Sequence, residues 1–150
     1  MLKYIDYQIV FKEIPDEITL AINISGCPNN CIGCHSQYLQ SNIGENLTLV
    51  TLLDIIKNNP GITCICFMGG DKDPEYINIM ATFCKLLNIK TGWYSGKPYI
   101  ANEIDLHNFN FIKIGPYIEQ CGPLNSPTTN QKLFEINNGE LNDITNKFWN

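Results

Sequence analysis

The sequence predicts an α/β protein built on parallel strands, with an antiparallel hairpin at each end. Three observations predict it. Through the middle of the chain, short apolar runs alternate with stretches of helical period, a pattern that produces parallel strands joined by right-handed crossovers. Near the N-terminus, two runs rich in β-branched and aromatic residues flank Pro15-Asp16, as in a hairpin. Near the C-terminus, Asn138-Gly139 lies between two alternating segments, a strong signal for a type I′ turn.

Taken in order, residues 4–14 alternate loosely and predict a first strand, and residues 18–24 predict a second. A helix is expected over residues 48–58, with Thr48 as N-cap. Leu49, Leu52, Leu53 and Ile56 fall at i, i+3, i+4 and i+7, one apolar stripe. Pro60-Gly61 ends it. Residues 62–68 (ITCICFM) form a short apolar run, as in a strand covered on both faces. Gly69-Gly70-Asp71 follows, and then a second helix capped by Asp73, with Pro74 at its first position. Its buried face is expected to carry Tyr76, Met80, Phe83, Cys84 and Leu87. Residues 89–94 and 111–114 predict two more strands. Between them lies a polar stretch with room for one helical turn, and residues 115–130 read as a proline- and glycine-bearing loop.

The chain has 150 residues, 44% of them hydrophobic, and a formal net charge of -5. This predicts a single domain over residues 1–150. It is short for a closed eight-fold β/α barrel, which takes about 250 residues. No basic run supports a nucleic-acid partner. No secretory h-region is visible at the N-terminus, and the apolar runs are too short to span a bilayer. A cytoplasmic, reducing location is therefore expected, where cysteines serve as metal ligands or buried thiols and not as a disulfide framework.

Seven cysteines are present, and three cluster in SGCPNNCIGCHSQYL: Cys27, Cys31 and Cys34, spaced Cys-x3-Cys-x2-Cys. Random scatter gives this triplet with a probability of roughly 0.015, so the loop reads as a metal site. A four-iron cubane normally takes four thiolates. Three local thiolates would leave one iron open to bind and activate a ligand. A structural zinc is the alternative, its fourth ligand from His35 or more easily from distant Cys121. Cys31-Ile32-Gly33-Cys34-His35 also matches the haem attachment pattern, but that reading leaves Cys27 without a role. Cys64 and Cys66 lie on one face of a predicted strand and Cys84 on a helical stripe; core packing is the expectation for all three. Trp93 and Tyr94 suit ordinary packing, with stacking on an adenine ring as the functional reading. His107 reads as a loop histidine.

Functional loops of parallel β/α units lie beyond the carboxyl ends of the strands. The cysteine loop, Gly69-Gly70-Asp71, the segment from Trp93 to Gly96, and Gly115-Pro116 each follow a predicted strand. All four should gather at one end of the sheet. Paired glycines there would let a small molecule approach the backbone.

Cys27-x3-Cys31-x2-Cys34 followed by Gly69-Gly70-Asp71 resembles the radical S-adenosylmethionine superfamily. The small size, the Cys-x-Gly-Cys ending, KIGPYIEQCGPLNSPTTNQ and DITNKFW resemble one branch, the anaerobic ribonucleoside-triphosphate reductase activating proteins. The resemblance implies a partial β/α barrel, open on one side. It implies that Cys27, Cys31 and Cys34 hold a 4Fe-4S cluster whose open iron is chelated by S-adenosyl-L-methionine. The Gly69-Gly70-Asp71 backbone would meet the methionyl amino group, and Ser95 and Lys113 are further candidates by position. The implied reaction is reductive cleavage of the sulfonium to methionine and a 5′-deoxyadenosyl radical, which takes a hydrogen atom from a glycine of the reductase partner. A low-potential donor such as flavodoxin or ferredoxin would supply the electron. Activation of another glycyl radical enzyme, of the formate-lyase type, and a non-catalytic zinc-stapled binding module are the alternative functions. Where many activases carry Gly-Pro-Gly-x-Arg, this chain has Glu13-Ile14-Pro15-Asp16-Glu17.

Overall fold

In a computed structural model, residues 1–28 and 43–149 are described. Eight strands occur among them: β1 (Lys3–Val10), β2 (Thr19–Ile24), β3 (Glu45–Asn46), β4 (Cys64–Met68), β5 (Lys90–Tyr94), β6 (Phe111–Ile114), β7 (Lys132–Asn137) and β8 (Glu140–Asp143). Two α-helices accompany them, α1 (Leu49–Lys57) and α2 (Pro74–Leu86), with short 3-10 turns at Leu106–Asn108 and Thr145–Phe148.

All eight strands form one mixed sheet in the order β3-β1-β2-β4-β5-β6-β7-β8. Of its seven pairings, three are parallel and four antiparallel. The parallel ones are central: β2-β4-β5-β6. The expected hairpins flank them, β1-β2 on one side and β7-β8 on the other. The order runs from β3 at one edge to β8 at the other, so this is an open sheet. The class is α/β, but richer in sheet than a regular strand–helix alternation. Between β5 and β6 the crossover carries a 3-10 turn and no α-helix.

Local sequence explains the element ends. Thr48 caps α1, its hydroxyl accepting from the Thr51 amide at 3.0 Å. Asp73 caps α2 by accepting from the Tyr76 amide at 3.2 Å, with Pro74 at the first position; each cap satisfies an amide that has no partner within its helix. Asn138 and Gly139 take φ of 52° and 81°, both left-handed, as a type I′ turn requires.

The pleat sorts side chains onto two faces. Leu20, Ile22, Ile24, Ile65, Phe67, Trp93 and Ile112 pack under the helices with Leu52, Ile55, Ile77, Met80 and Cys84. On the opposite face Cys64, Cys66, Phe111 and Leu133 pack with Ile14 and Ile144, and with half-buried Met68, Tyr94 and Phe148. Two expected stripe positions differ. On α1, Ile55 and not Leu53 joins Leu52 in the buried set, so the buried stripe runs i, i+3 from Leu52. Leu87, expected on the buried face of α2, is 39% exposed. It forms the C-cap, where the chain has already left helical direction. Among the described residues, no helix is long and apolar enough to cross a membrane.

Candidate functional site at the carboxyl ends of the parallel strands

Parallel pairing puts the ends of β2, β4, β5 and β6 at one edge of the sheet. Each is followed by a segment the sequence singled out. Ser25, Gly26 and Cys27 follow β2, Gly69-Gly70-Asp71 follows β4, Ser95 follows β5 and Gly115 follows β6.

Hydrogen bonds tie these segments together. The Gly69 amide donates to the Tyr94 carbonyl at 3.1 Å, and the Ser95 amide to the Lys113 carbonyl at 2.8 Å. The Trp93 indole donates to the Gly69 carbonyl at 2.7 Å. Asp71 receives two bonds from the neighbouring strand end: Ser95 Oγ at 2.6 Å and the Gly96 amide at 2.8 Å. Its carboxylate therefore tethers the Gly-Gly turn to the end of β5. The cap of α2 is Asp73, as expected. Ser25 Oγ donates to the Lys3 and Ile43 carbonyls, pinning the exit of β2.

The two glycines are required here. Gly69 and Gly70 have φ of 112° and 94°, conformations that L side chains rarely adopt. A Cβ on Gly70 would lie 2.6 Å from Ile77 Cδ1, and one on Gly69 would lie 3.1 Å from the Ile24 carbonyl oxygen. The turn is thus packed closely onto both β2 and α2.

Lys113 lies on the face away from the helices and is only 8% exposed. Its Nζ donates to Gln131 Oε1 at 3.0 Å and to the Gly115 carbonyl at 3.2 Å, and it sits 5.4 Å from the centroid of the Tyr94 ring. A buried ammonium needs such acceptors to offset its desolvation. Gln131 closes the segment KIGPYIEQCGPLNSPTTNQ, which begins at Lys113 18 residues earlier, but the sequence alone assigns it no individual role. The Tyr94 hydroxyl donates to the Glu13 carbonyl, and Ile14 is fully buried beside Gly92. The segment that stands in place of Gly-Pro-Gly-x-Arg therefore covers the helix-free face.

Trp93 takes the packing role. It is 1% exposed, among the helix-side residues and 6.4 Å from the Phe109 ring. His107 is an exposed loop histidine paired with Asp105 at 3.2 Å, and its backbone and side-chain hydrogen bonds hold the Asp105 carboxyl below its ordinary range.

The thiols divide by environment. Burial pushes Cys64 and Cys84 up to about 12 and Cys66 well above the usual thiol range. These stay protonated and inert, as core cysteines do. Cys27 is half-buried, at the mouth. Cys121 is half-buried in the late loop, its carbonyl accepting from Thr128 Oγ1 at 2.6 Å. Cys31, Cys34 and His35 lie outside the described residues. Among the described residues no three metal-ligating side chains gather. The described donor still suits an iron thiolate: it is a soft sulfur, outside the apolar core, and Lys72 Nζ lies against the residue before it, 2.7 Å from where a Gly26 Cβ would be.

No family model, no curated protein and no solved structure matches the chain.

Proposed function

We propose that this chain is a radical S-adenosylmethionine enzyme that generates the glycyl radical of an anaerobic ribonucleoside-triphosphate reductase. The observation that supports it is the meeting of Cys27, the Gly69-Gly70-Asp71 turn, Ser95 and buried Lys113 at the carboxyl ends of the central parallel strands of a mixed sheet. The four parallel strands and their flanking hairpins are read as an open, partial β/α barrel, with the helix-free face as its inside. Cys27, Cys31 and Cys34 would hold the 4Fe-4S cluster, which when loaded supplies the one-electron reduction that splits S-adenosylmethionine and yields the radical.

The chain's own residues orient and enclose. The Gly69-Gly70-Asp71 turn, held in its left-handed form by the two glycines, would meet the methionyl amino group. Asp71, held by Ser95 and Gly96, fixes that backbone against β5. Lys113 offers a buried positive charge for a carboxylate or a ribose oxygen. Met68, Tyr94 and Phe148 make the adjoining face apolar, which keeps water from a reactive intermediate. The partner's glycine loop would enter over the open side of the sheet. A low-potential flavodoxin or ferredoxin would donate the electron, in the cytoplasm.

The test is anaerobic reconstitution with iron and sulfide. A brown chain absorbing near ~400 nm that releases 5′-deoxyadenosine from S-adenosylmethionine is expected. Mixing with an anaerobic ribonucleotide reductase should then give a glycyl radical doublet in electron paramagnetic resonance. A colourless chain that takes up one zinc and no iron would replace this reading with the zinc-stapled binding module. Cluster chemistry with a doublet only on a formate-lyase-type partner would reassign the substrate.

A further inference from the structure

The sheet is unfinished at β1. This strand pairs with β2 along its length, but on its other side β3 meets only Lys3 and Tyr4. Among the described residues no strand lies beside residues 5–10 on that side. The side chains there stand in solvent. Asp6, Tyr7, Gln8 and Ile9 are all exposed, as are Phe11 and Lys12 just beyond. An edge of this kind offers backbone amides and carbonyls that another strand can join.

One face of the edge is apolar. Tyr7 lies opposite Ile22 and Ile9 opposite Leu20. Both partners belong to the core under the helices, so Tyr7 and Ile9 sit on the helix side of the sheet. Phe11, next in that alternation, is 68% exposed, and Ile18 just before β2 is exposed as well. The apolar row therefore runs past the core to the open edge. The other face carries Asp6, Gln8, Val10 and, beyond the strand, Lys12. Asp6 accepts from Asn23 Nδ2 at 2.6 Å, a neutral partner that leaves its charge in place. Asp6 is the only acid and Lys12 the only base over residues 6–12.

We propose that this edge is the two-fold interface of a homodimer, in which β1 pairs antiparallel with β1 of a second copy and the two sheets become one. Two constraints select the same register. The second copy must clear β3, which holds the edge at Lys3 and Tyr4, and apolar side chains must face apolar side chains. A pairing centred on Ile9 does both. Ile9 faces the partner's Ile9, Tyr7 faces the partner's Phe11, and Gln8 faces the partner's Val10. Asp6 faces the partner's Lys12, and symmetry makes this contact twice. Cross-strand pairs of opposite charge, and aromatic pairs, are the ones that stabilise a ladder. Centring on Gln8 would bring Lys12 against Tyr4, where β3 already sits. Centring on Val10 would leave Asp6 without its base. Pairing extends β1 by Phe11 and Lys12, which lie in a bend in the single copy. The inference is independent of the catalytic reading.

Sedimentation equilibrium of the full chain, under anaerobic and reducing conditions, tests this. An interface of one strand pair is small, so the parent should pass from monomer to dimer over the micromolar range. Ile9→Lys sets two ammonium groups against each other on the axis and should weaken the dimer at least about tenfold. Asp6→Lys and Lys12→Asp should each weaken it, and the double variant Asp6→Lys/Lys12→Asp should return the parent's constant. Leu86→Lys, on the exposed side of α2, should leave association unchanged. Urea midpoints check that each variant folds. Hydrogen exchange of the parent needs no variant: amides of residues 6–12 should exchange more slowly in the dimer than in the diluted monomer. A parent still monomeric at about 0.5 mM overturns the proposal, as do equal exchange rates. A dimer that survives Ile9→Lys, or that Leu86→Lys abolishes, forms through another surface and overturns it too. Single charge reversals that weaken the dimer with no rescue in the double variant overturn the register, and the proposal with it.

Discussion

The tether between Asp71 and the end of β5 gives a prediction that needs no cofactor. Asp71→Ala removes two hydrogen bonds to a carboxylate, from Ser95 Oγ at 2.6 Å and the Gly96 amide at 2.8 Å. Bonds to a charged acceptor contribute about 1.5–3 kcal/mol each. Asp71 is half-buried, so water replaces part of the loss, and about 3 kcal/mol in total is expected. Ser95→Ala removes one of those bonds and also the acceptor of the Lys97 amide at 3.1 Å; about 1.5 kcal/mol is expected. The double variant should cost little more than Asp71→Ala alone, because the Ser95–Asp71 bond can be lost only once, and a coupling energy of about 1.5 kcal/mol follows. Urea denaturation under anaerobic, reducing conditions reads all three. With a slope of about 1.5 kcal/mol/M, Asp71→Ala should lower the midpoint by about 2 M. If Asp71→Ala lies within about 0.5 kcal/mol of the parent, or the two variants add fully, the carboxylate is no tether and the turn is held by something else.

Three further predictions follow from the same geometry. Gly70→Ala should destabilise the fold by about 2–4 kcal/mol in the same urea assay, since it combines a left-handed φ with a Cβ 2.6 Å from Ile77 Cδ1. Alkaline pH should weaken the protein through its buried thiols. They keep their protons when folded, up to about 12 for Cys64 and Cys84, whereas the unfolded chain loses them from about pH 8.5. Stability is therefore fully present below that pH and falls as pH rises from about 8.5 toward about 12, by at most about 1.4 kcal/mol per pH unit per thiol. Cys66→Ala should make the fall shallower by one thiol's share, read as urea midpoints across pH. Lys113→Met leaves the Gly115 and Gln131 acceptors without their donor and should cost about 1–3 kcal/mol, while the folded variant binds S-adenosylmethionine about tenfold more weakly by calorimetry. Unchanged binding would remove Lys113 from the site.

Much of this architecture is written in local sequence. Thr48 and Asp73 announce their helix starts by residue type and position, and Asn138-Gly139 announces its turn. The parallel order of β2, β4, β5 and β6 follows from strand–helix alternation, and the gathering of loops at one edge follows from that order. The missing parts depend on contacts distant in sequence. β3 is two residues long and exists only because it pairs with Lys3 and Tyr4; no periodicity can signal it. Ile14 reads as the end of a strand, but the chain folds it back over Gly92 as a buried plug. Lys72 reaches Gly26 across 46 positions of sequence, and Gln131 reaches Lys113 across 18; neither residue differs in type from any solvated lysine or glutamine. The crossover from β5 to β6 lacks an apolar stripe, and it accordingly forms a 3-10 turn where a regular β/α unit would have a helix.

The division of the cysteines bears on where a metal can go. A ligating sulfur must first be a thiolate, and the cost of making one rises with burial. At Cys64, Cys66 and Cys84 that cost is already expressed as thiol pKa values raised to about 12 or beyond. Cys66 has a sulfur neighbour, with its Sγ 3.6 Å from Met68 Sδ, and proximity alone would make that pair a candidate for a soft metal. The apolar surroundings argue against it, since they stabilise the proton that a metal would have to displace. Cys27 is half-buried and lies outside the apolar clusters, at the mouth of the sheet. The raised thiols of the core direct iron away from the interior of the sheet. Iron loading should then fail when the loop cysteines are replaced and persist when the core cysteines are, whatever the loaded chain goes on to do.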